Sequence, residues 1–226
     1  MNGARAAEAI GAFLDAVLPQ GARAAADLAG TPARVADAWL EDLVDGYGQD
    51  PAAVLADVMP ARGRDLVAVT GIDYHSMCPH HLLPSRGVAH VAYLPGGRVV
   101  GFGQIARLVD CFAHRLVLQE DLARQVAEAL VDHLGARGAA CVLDAEQACL
   151  SVRGERRRGA RTHAQCFVGE LAEDARLQAR FRALMLHHPL SPGGEERGER
   201  RRRPRGATSP SPRPSPRLAG GGGRNS

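Results

Sequence analysis

Apolar residues recur at helical spacing near the start of the chain. One stripe, which ends at Pro19, predicts an amphipathic helix over residues 5–18. A second helix is predicted to begin at Thr31-Pro32, because threonine is a favoured N-cap and proline a favoured first-turn residue. We therefore expect an N-terminal helical extension over residues 1–62. The first stripe consists of Ile10, Phe13, Leu14, Val17 and Leu18.

From Asp65 the pattern becomes typical of strands that are interrupted by two helices. The two helices are recognised by apolar residues three or four positions apart, from Ile105 to Phe112 and from Leu122 to Leu134. The order β-β-α-α-β-β predicts an α+β domain over residues 63–188, with a mostly antiparallel sheet backed by two helices. The predicted strands are 66–74, 87–94, 139–143 and 164–168, and a last helix is expected near 173–187.

The composition changes sharply after Pro189. Residues 189–226 hold nine arginines, three acidic residues and half of the fourteen prolines. Such a segment has little to bury, so we expect a disordered tail rich in arginine, proline, glycine and serine. The rest of the chain is mildly acidic, which leaves nucleic-acid binding through the tail as a remote alternative only. The chain contains no lysine, so phosphate would be held by arginine, histidine or backbone amides.

Several broad classes of protein are disfavoured by the sequence. No run of about twenty apolar residues is present, so we expect no membrane span and no membrane partner. The first residues lack the basic and then apolar design of a signal peptide. Five widely scattered cysteines do not match the disulfide framework of a small secreted protein. A cytoplasmic location is the simplest expectation.

Two cysteine segments carry the candidate chemistry. Cys78-Pro79-His80-His81 places a thiol and an imidazole three positions apart, and Cys149 could supply a second sulfur. Sulfur and imidazole nitrogen are ligands suited to zinc. Three protein ligands would leave the fourth tetrahedral position to water, as in a catalytic zinc site. Taken alone, the first segment is equally compatible with a buried cysteine beside surface histidines.

With both cysteine segments on a β-β-α-α-β-β frame, the chain resembles the GTP cyclohydrolase I family. The resemblance runs from about Thr31 to Leu186 and is densest across residues 76–81, 101–122 and 144–154. It implies the tunnelling fold and a toroidal homodecamer with active sites between subunits. It also implies a Zn²⁺-dependent reaction of GTP and water that yields 7,8-dihydroneopterin triphosphate and formate, the first step of folate and pterin biosynthesis.

The resemblance assigns roles to individual residues. Cys78, His81 and Cys149 match the zinc ligands of the family, and His80 matches its general acid/base. Glu120 matches the carboxylate that grips guanine. The other expected substrate contacts are Gln119 beside that carboxylate, the triphosphate-binding Arg107 and Arg153, Arg34 from a neighbouring subunit, and Gln104 at a position where the family has lysine.

The residue types suit these roles on chemical grounds. Zinc lowers the pKa of water that it binds to about 7. Histidine titrates in the range needed to deliver a proton to a departing nitrogen. A carboxylate can accept two hydrogen bonds from the N1–H and 2-amino edge of guanine, which adenine does not offer. Arginine matches the geometry of phosphate oxygens.

Three positions depart from the family pattern. Pro79 replaces a glutamate, and Phe102-Gly103-Gln104 replaces a Leu-Ser-Lys pattern. More important, Gln147 occupies the place of a histidine that assists proton transfer, although glutamine carries no proton at neutral pH. Two alternatives therefore stay open beside the full reaction. The enzyme would stop at the ring-opened formamide, or it would act on another purine or pterin.

Overall fold

The computed structural model describes residues 1–22, 26–154 and 156–186. The tail predicted over residues 189–226 lies outside this range. Within the described part of the chain, no helix is both long and apolar enough to cross a bilayer.

The N-terminal segment is helical, as predicted. Helix α1 starts after Asn2, whose side chain accepts a hydrogen bond from the Arg5 amide. The expected N-cap at Thr31 is wrong, because Thr31 is already the first helical residue and Gly30 precedes it without a side-chain cap. The Thr31 hydroxyl instead accepts a hydrogen bond from Arg34 Nη2 at 3.1 Å. The helices are α1 (Gly3–Val17), α2 (Ala26–Ala29), α3 (Thr31–Ala38) and α4 (Pro51–Val54), with a π-helical turn at Trp39–Leu43 and a 3₁₀ turn at Asp45–Gly48.

A four-stranded antiparallel sheet forms the centre of the fold. Its spatial order is β2-β3-β5-β6, and the remaining strands, β1 and β4, pair separately. The α+β arrangement predicted from the sequence is thus confirmed. The strands are β1 (Val58–Pro60), β2 (Val67–Met77), β3 (Pro84–Leu94), β4 (Arg98–Val100), β5 (Gly138–Gln147) and β6 (Thr162–Gly169).

Two long helices, α5 (Phe102–Ala113) and α6 (Gln119–Asp132), cover one face of the sheet. They lie between β4 and β5 in the chain, so the order β-β-α-α-β-β is confirmed. Three shorter helices follow, α7 (Ala148–Ser151), α8 (Glu170–Glu173) and α9 (Ala175–Met185). The core under α5 and α6 includes Ile72, Val91, Leu108, Val109, Leu122, Val126, Leu130 and Leu143.

The opposite face of the sheet carries a second, smaller apolar cluster. Phe181 of α9 is fully buried there against Ala92, Leu94 and Ala140 of the sheet. Successive strand residues point to opposite faces. Each strand of the central sheet therefore contributes alternate side chains to two different cores.

The N-terminal segment is fixed against α5 by a close backbone approach. A Cβ atom at Gly46 would lie 2.6 Å from the backbone oxygen of Cys111 and 2.7 Å from that of His114. Beside it, His114 Nδ1 lies 2.7 Å from an oxygen of Asp45. Only glycine fits this contact without displacement of the backbone.

Candidate active site

A short closed loop presents the first two candidate ligands. Strand β2 ends at Met77 and β3 begins at Pro84, and the loop between them is tied by two backbone hydrogen bonds of 2.9 Å, from Cys78 N to Leu83 O and from Leu82 N to Cys78 O. Leu82 adopts a positive φ of 53°, which an L-residue rarely takes. The turn brings the Cys78 sulfur to 3.7 Å from His81 Nδ1.

The second sulfur comes from the end of β5. Strand β3 pairs with both β2 and β5, with Met77 opposite Pro84 and Ser85 opposite Gln147. This register places Cys149, in α7, beside the loop. The ligand atoms of Cys78, His81 and Cys149 all lie within 4.8 Å of one another. We call these three residues the metal group.

The donor set of the metal group fits a soft or borderline divalent cation. Partial burial and the neighbouring Cys78 sulfur raise the pKa of the Cys149 thiol, whereas the Arg153 guanidinium opposes this. Two adjacent thiols resist ionisation together, and a bound cation removes that penalty. Two sulfurs and one imidazole nitrogen are a ligand set typical of zinc.

The remaining cysteines do not join this group. Burial raises the pKa of the thiols of Cys111 and Cys141, which are both fully buried, and also that of the half-buried Cys166. Such thiols behave as small apolar residues rather than as ligands.

The predicted acid/base and guanine-binding residues are exposed near the same strand end. The ring of His80 lies edge-on to that of His81, with 6.1 Å between their centroids. Glu120 lies in the first turn of α6 and is exposed. The segment before α6 is held close to the loop, because Val117 N donates to Met77 O at 3.3 Å. The side chains of His80 and Glu120 are thus accessible to a ligand.

The three arginines predicted to bind phosphate lie in different parts of the fold, and Arg153 is the one recorded next to a member of the metal group. Arg153 is exposed, and its guanidinium opposes the rise in the pKa of the Cys149 thiol that burial and Cys78 cause. Arg107 is exposed on α5. Arg34 binds within its own segment, where its Nη2 donates to Asp27 O at 3.2 Å and to the Thr31 hydroxyl.

Gln104 is placed differently from the expected substrate contact. It is buried, with 6% of its surface exposed. Its Oε1 accepts from Gly101 N at 2.9 Å and its Nε2 donates to Val54 O at 3.0 Å. Both ends of the amide therefore serve to cap α5 and to join it to α4. At this position, where the family has lysine, the buried Gln104 amide is engaged at both ends inside the protein, and its contact with substrate stays a prediction.

Gln119, Gln147 and Thr162 form a hydrogen-bonded network, which we call the amide network. Gln119 Nε2 donates to the backbone oxygens of Leu143, at 3.4 Å, and Thr162, at 3.1 Å. Gln147 Nε2 donates to Gln119 Oε1 at 3.1 Å and to Thr162 Oγ1 at 3.4 Å. The Thr162 hydroxyl also donates to Gln119 Oε1. Thr162 was missed by the sequence reasoning, because a threonine in a strand is ordinary.

The network occupies the helix-covered face of the sheet, and two other histidines near the strand ends are held by different partners. The ring of His75 lies 4.3 Å from that of His114 at the end of α5, and its Nε2 lies 3.2 Å from Asp42 O. His163 pairs with Asp144, one position away from the residues that share a face with Gln147, and so lies on the opposite face. His163 Nδ1 lies 3.0 Å from the buried carboxylate of Asp144. Among the described residues, the recorded contacts of both histidines are thus with partners other than the amide network.

Comparison with known proteins gives one consistent result. Residues 6–186 match the family model described as GTP cyclohydrolase I. A GTP cyclohydrolase 1 from Chromobacterium violaceum is 49% identical over 152 residues, which cover 67% of this chain and 73% of that protein. One from Ralstonia nicotianae is 50% identical over 152 residues, covering 67% and 72% respectively.

Among solved structures, the apo form of an archaeosine synthase QueF-Like aligns with 97% of its length and 48% of this chain, at a TM-score of 0.40 and 18% identity. That TM-score is too low to add to the fold described above. The family match covers the whole β-β-α-α-β-β core and all three members of the metal group. The chain therefore belongs to the GTP cyclohydrolase I family and is an enzyme of that hydrolase family.

Proposed function

We propose that the protein is a zinc-dependent GTP cyclohydrolase I that converts GTP and water to 7,8-dihydroneopterin triphosphate and formate, in the first step of folate and pterin biosynthesis. The observation that carries this proposal is the metal group: Cys78, His81 and Cys149 have their ligand atoms within 4.8 Å of one another in a chain of this family. When bound, zinc supplies the Lewis acidity that activates water near neutral pH.

The residues around the metal group would bind GTP and move its protons. Glu120 accepts hydrogen bonds from the N1–H and 2-amino group of guanine, which selects guanine over adenine. Arg153 and Arg107 bind triphosphate oxygens through their guanidinium groups. His80 delivers a proton to the ring nitrogen that departs when the imidazole ring opens.

Gln147 gives a specific reason for a second candidate function. Cleavage of the formamide C–N bond by water, which yields formate and a free amine, needs a proton to be moved a second time. The Gln147 amide is no acid or base at neutral pH, and the recorded contacts of His75 and His163 are with His114, Asp42 and Asp144 rather than with Gln147. The alternative is thus an enzyme that opens the ring and accumulates the formamide. In our main proposal, formamide hydrolysis still occurs but is slow.

The active site is proposed to be completed between subunits of a homo-oligomer, a decamer in the family pattern. Within one chain, Arg34 contacts only its own segment among the interactions found for the described residues. Contact with the triphosphate would therefore require a neighbouring copy of the chain.

A single incubation tests the proposed function. Purified protein is stripped of metal, divided, and given GTP with or without zinc, and GTP loss, formate and pterin fluorescence are followed together. The proposal predicts GTP loss and pterin formation only with zinc. GTP loss of equal rate without zinc, or a stable GTP pool in both arms, would contradict it.

A further inference from the structure

The orientation of the Gln119 side chain is determined by its neighbours. One end of its amide lies 3.4 Å from the carbonyl oxygen of Leu143 and 3.1 Å from that of Thr162. Carbonyl oxygens only accept hydrogen bonds, so the atom that faces them is the NH₂ group. The other end, Oε1, is then an acceptor that faces Gln147 and the Thr162 hydroxyl.

This arrangement in turn fixes Gln147. The atom of Gln147 that lies 3.1 Å from Gln119 Oε1 must be a donor, so it is Nε2. A flipped amide would bring two carbonyl oxygens together at hydrogen-bond distance. The second hydrogen of Nε2 reaches Thr162 Oγ1 at 3.4 Å. Both donors of Gln147 are therefore used inside the protein.

Thr162 closes the network from a third element. Its hydroxyl accepts from Gln147 and donates to Gln119, and its backbone is held opposite Ala145 in the β5–β6 ladder. An alternative acceptor for this hydroxyl is Ala145 O at 3.2 Å. From β6, Thr162 thus links the side-chain amide of Gln119 on α6 to that of Gln147 on β5.

We propose that Thr162 and Gln119 are positioning residues that fix Gln147 as a hydrogen-bond acceptor in the reaction. The group that Gln147 can still offer is Oε1, for which no donor is found among the described residues. Oε1 would accept a hydrogen bond from water or from an N–H of the substrate. The role of Oε1 in the reaction rests on the proposed function. In this proposal Gln119 orients Gln147 instead of making the expected contact with the substrate.

The same network would orient the imidazole ring of a histidine introduced by Gln147→His. Neutral imidazole has one N–H and one bare nitrogen. Gln119 Oε1 and Thr162 Oγ1 would hold the N–H inward and leave the bare nitrogen outward, as an acceptor that is also a base. A gain of function from Gln147→His should therefore depend on the Thr162 hydroxyl.

The first test compares Thr162→Val, which removes the hydroxyl but preserves size and strand preference, with Thr162→Ser, which restores the hydroxyl. In Thr162→Val, formate release per GTP consumed should fall about fivefold. GTP affinity of the zinc-free protein, measured by calorimetry, should stay within about twofold of wild type, and Thr162→Ser should behave like wild type in both measurements. The proposal would be overturned if Thr162→Val released as much formate per GTP as wild type. It would also be overturned if Thr162→Val and Thr162→Ser lost formate release to the same extent. If valine prevents folding, Thr162→Ala replaces it.

A second readout needs no turnover. In zinc-free protein, the Nε2 hydrogens of Gln147, identified by their absence in Gln147→Glu, should exchange with solvent about fivefold faster in Thr162→Val than in wild type. Unchanged exchange would overturn the proposed orientation. If wild-type protein with zinc leaves GTP intact, the proposed function fails, while this readout still decides the orientation.

The double variant supplies the sharpest comparison. Gln147→His alone should raise formate release, and the gain should disappear in the Gln147→His, Thr162→Val double variant. The same gain with and without the hydroxyl would show that position 147 acts independently of Thr162.

Discussion

The metal group and the amide network adjoin the same strand end but differ in how they are built. The metal group uses a tight loop after β2 and a short helix after β5, and its residues are identified by residue type and spacing. The amide network joins α6, β5 and β6 across the covered face of the sheet. Under the proposed function, this difference would correspond to a division of tasks, in which the metal group supports ring opening and the network sets the rate of the later hydrolysis.

The largest effect is expected from loss of a sulfur ligand. Cys149→Ser and Cys78→Ser should each lose most of the zinc and lower GTP consumption by at least about a thousandfold, because a hydroxyl is a poor replacement for a thiolate. Metal analysis of the purified proteins checks the first effect. Cys166→Ser, at a half-buried cysteine outside the metal group, is the matched control and should keep its zinc. Full zinc occupancy in both ligand variants would show that the metal group is assigned wrongly.

A smaller effect is expected at His80, which belongs to the loop but not to the ligand set. His80→Ala should retain zinc and slow ring opening by about a hundredfold to a thousandfold, because it removes a proton donor. Formate release should fall with it, since ring opening comes first. Activity near that of wild type, at full zinc content, would remove His80 from the mechanism.

The guanine contact is expected to contribute less than the proton transfer. Glu120→Gln replaces an acceptor oxygen by an NH₂ group that faces the donors of guanine, so kcat/KM for GTP should fall about tenfold to a hundredfold with zinc retained. Glu128→Gln is a control on the same helix, where Glu128 forms an exposed ion pair with Arg124. If both variants act on GTP like wild type, the assignment of Glu120 is incorrect.

The smallest effect is expected within the amide network itself. Gln147→His should raise the ratio of formate released to GTP consumed several-fold, because it restores a group that can carry a proton. The initial rate of GTP loss should change little by comparison. Quantification of both compounds at early times checks this. An unchanged ratio would mean that Gln147 only positions water and that histidine adds nothing.

The sequence was informative where a local pattern determines the structure. Apolar spacing predicted α1, α5 and α6, and the three cysteine and histidine ligands stood out because few other residue types bind zinc. The cap at Thr31 was predicted wrongly, because the helix begins one residue earlier than expected and the Thr31 hydroxyl accepts a hydrogen bond from Arg34 instead. Helix ends are decided by such small differences.

The orientation of polar side chains could not be predicted from the sequence. Gln104 and Gln119 were both expected to contact substrate, yet both ends of each amide form hydrogen bonds inside the protein. Thr162 joins the network only because β6 pairs with β5 in a register that places it opposite Ala145. Strand register brings these residues together from distant parts of the chain, and residue type alone does not reveal such contacts.

The most direct test of this division of tasks is a time course of the zinc-loaded wild-type protein with GTP, in which GTP loss, the ring-opened formamide and formate are quantified in the same samples. We expect formate to lag behind GTP loss and the formamide to accumulate at early times, since the Gln147 amide is no acid or base at neutral pH. Formate equal to GTP consumed at every time point, with no detectable formamide, would contradict it.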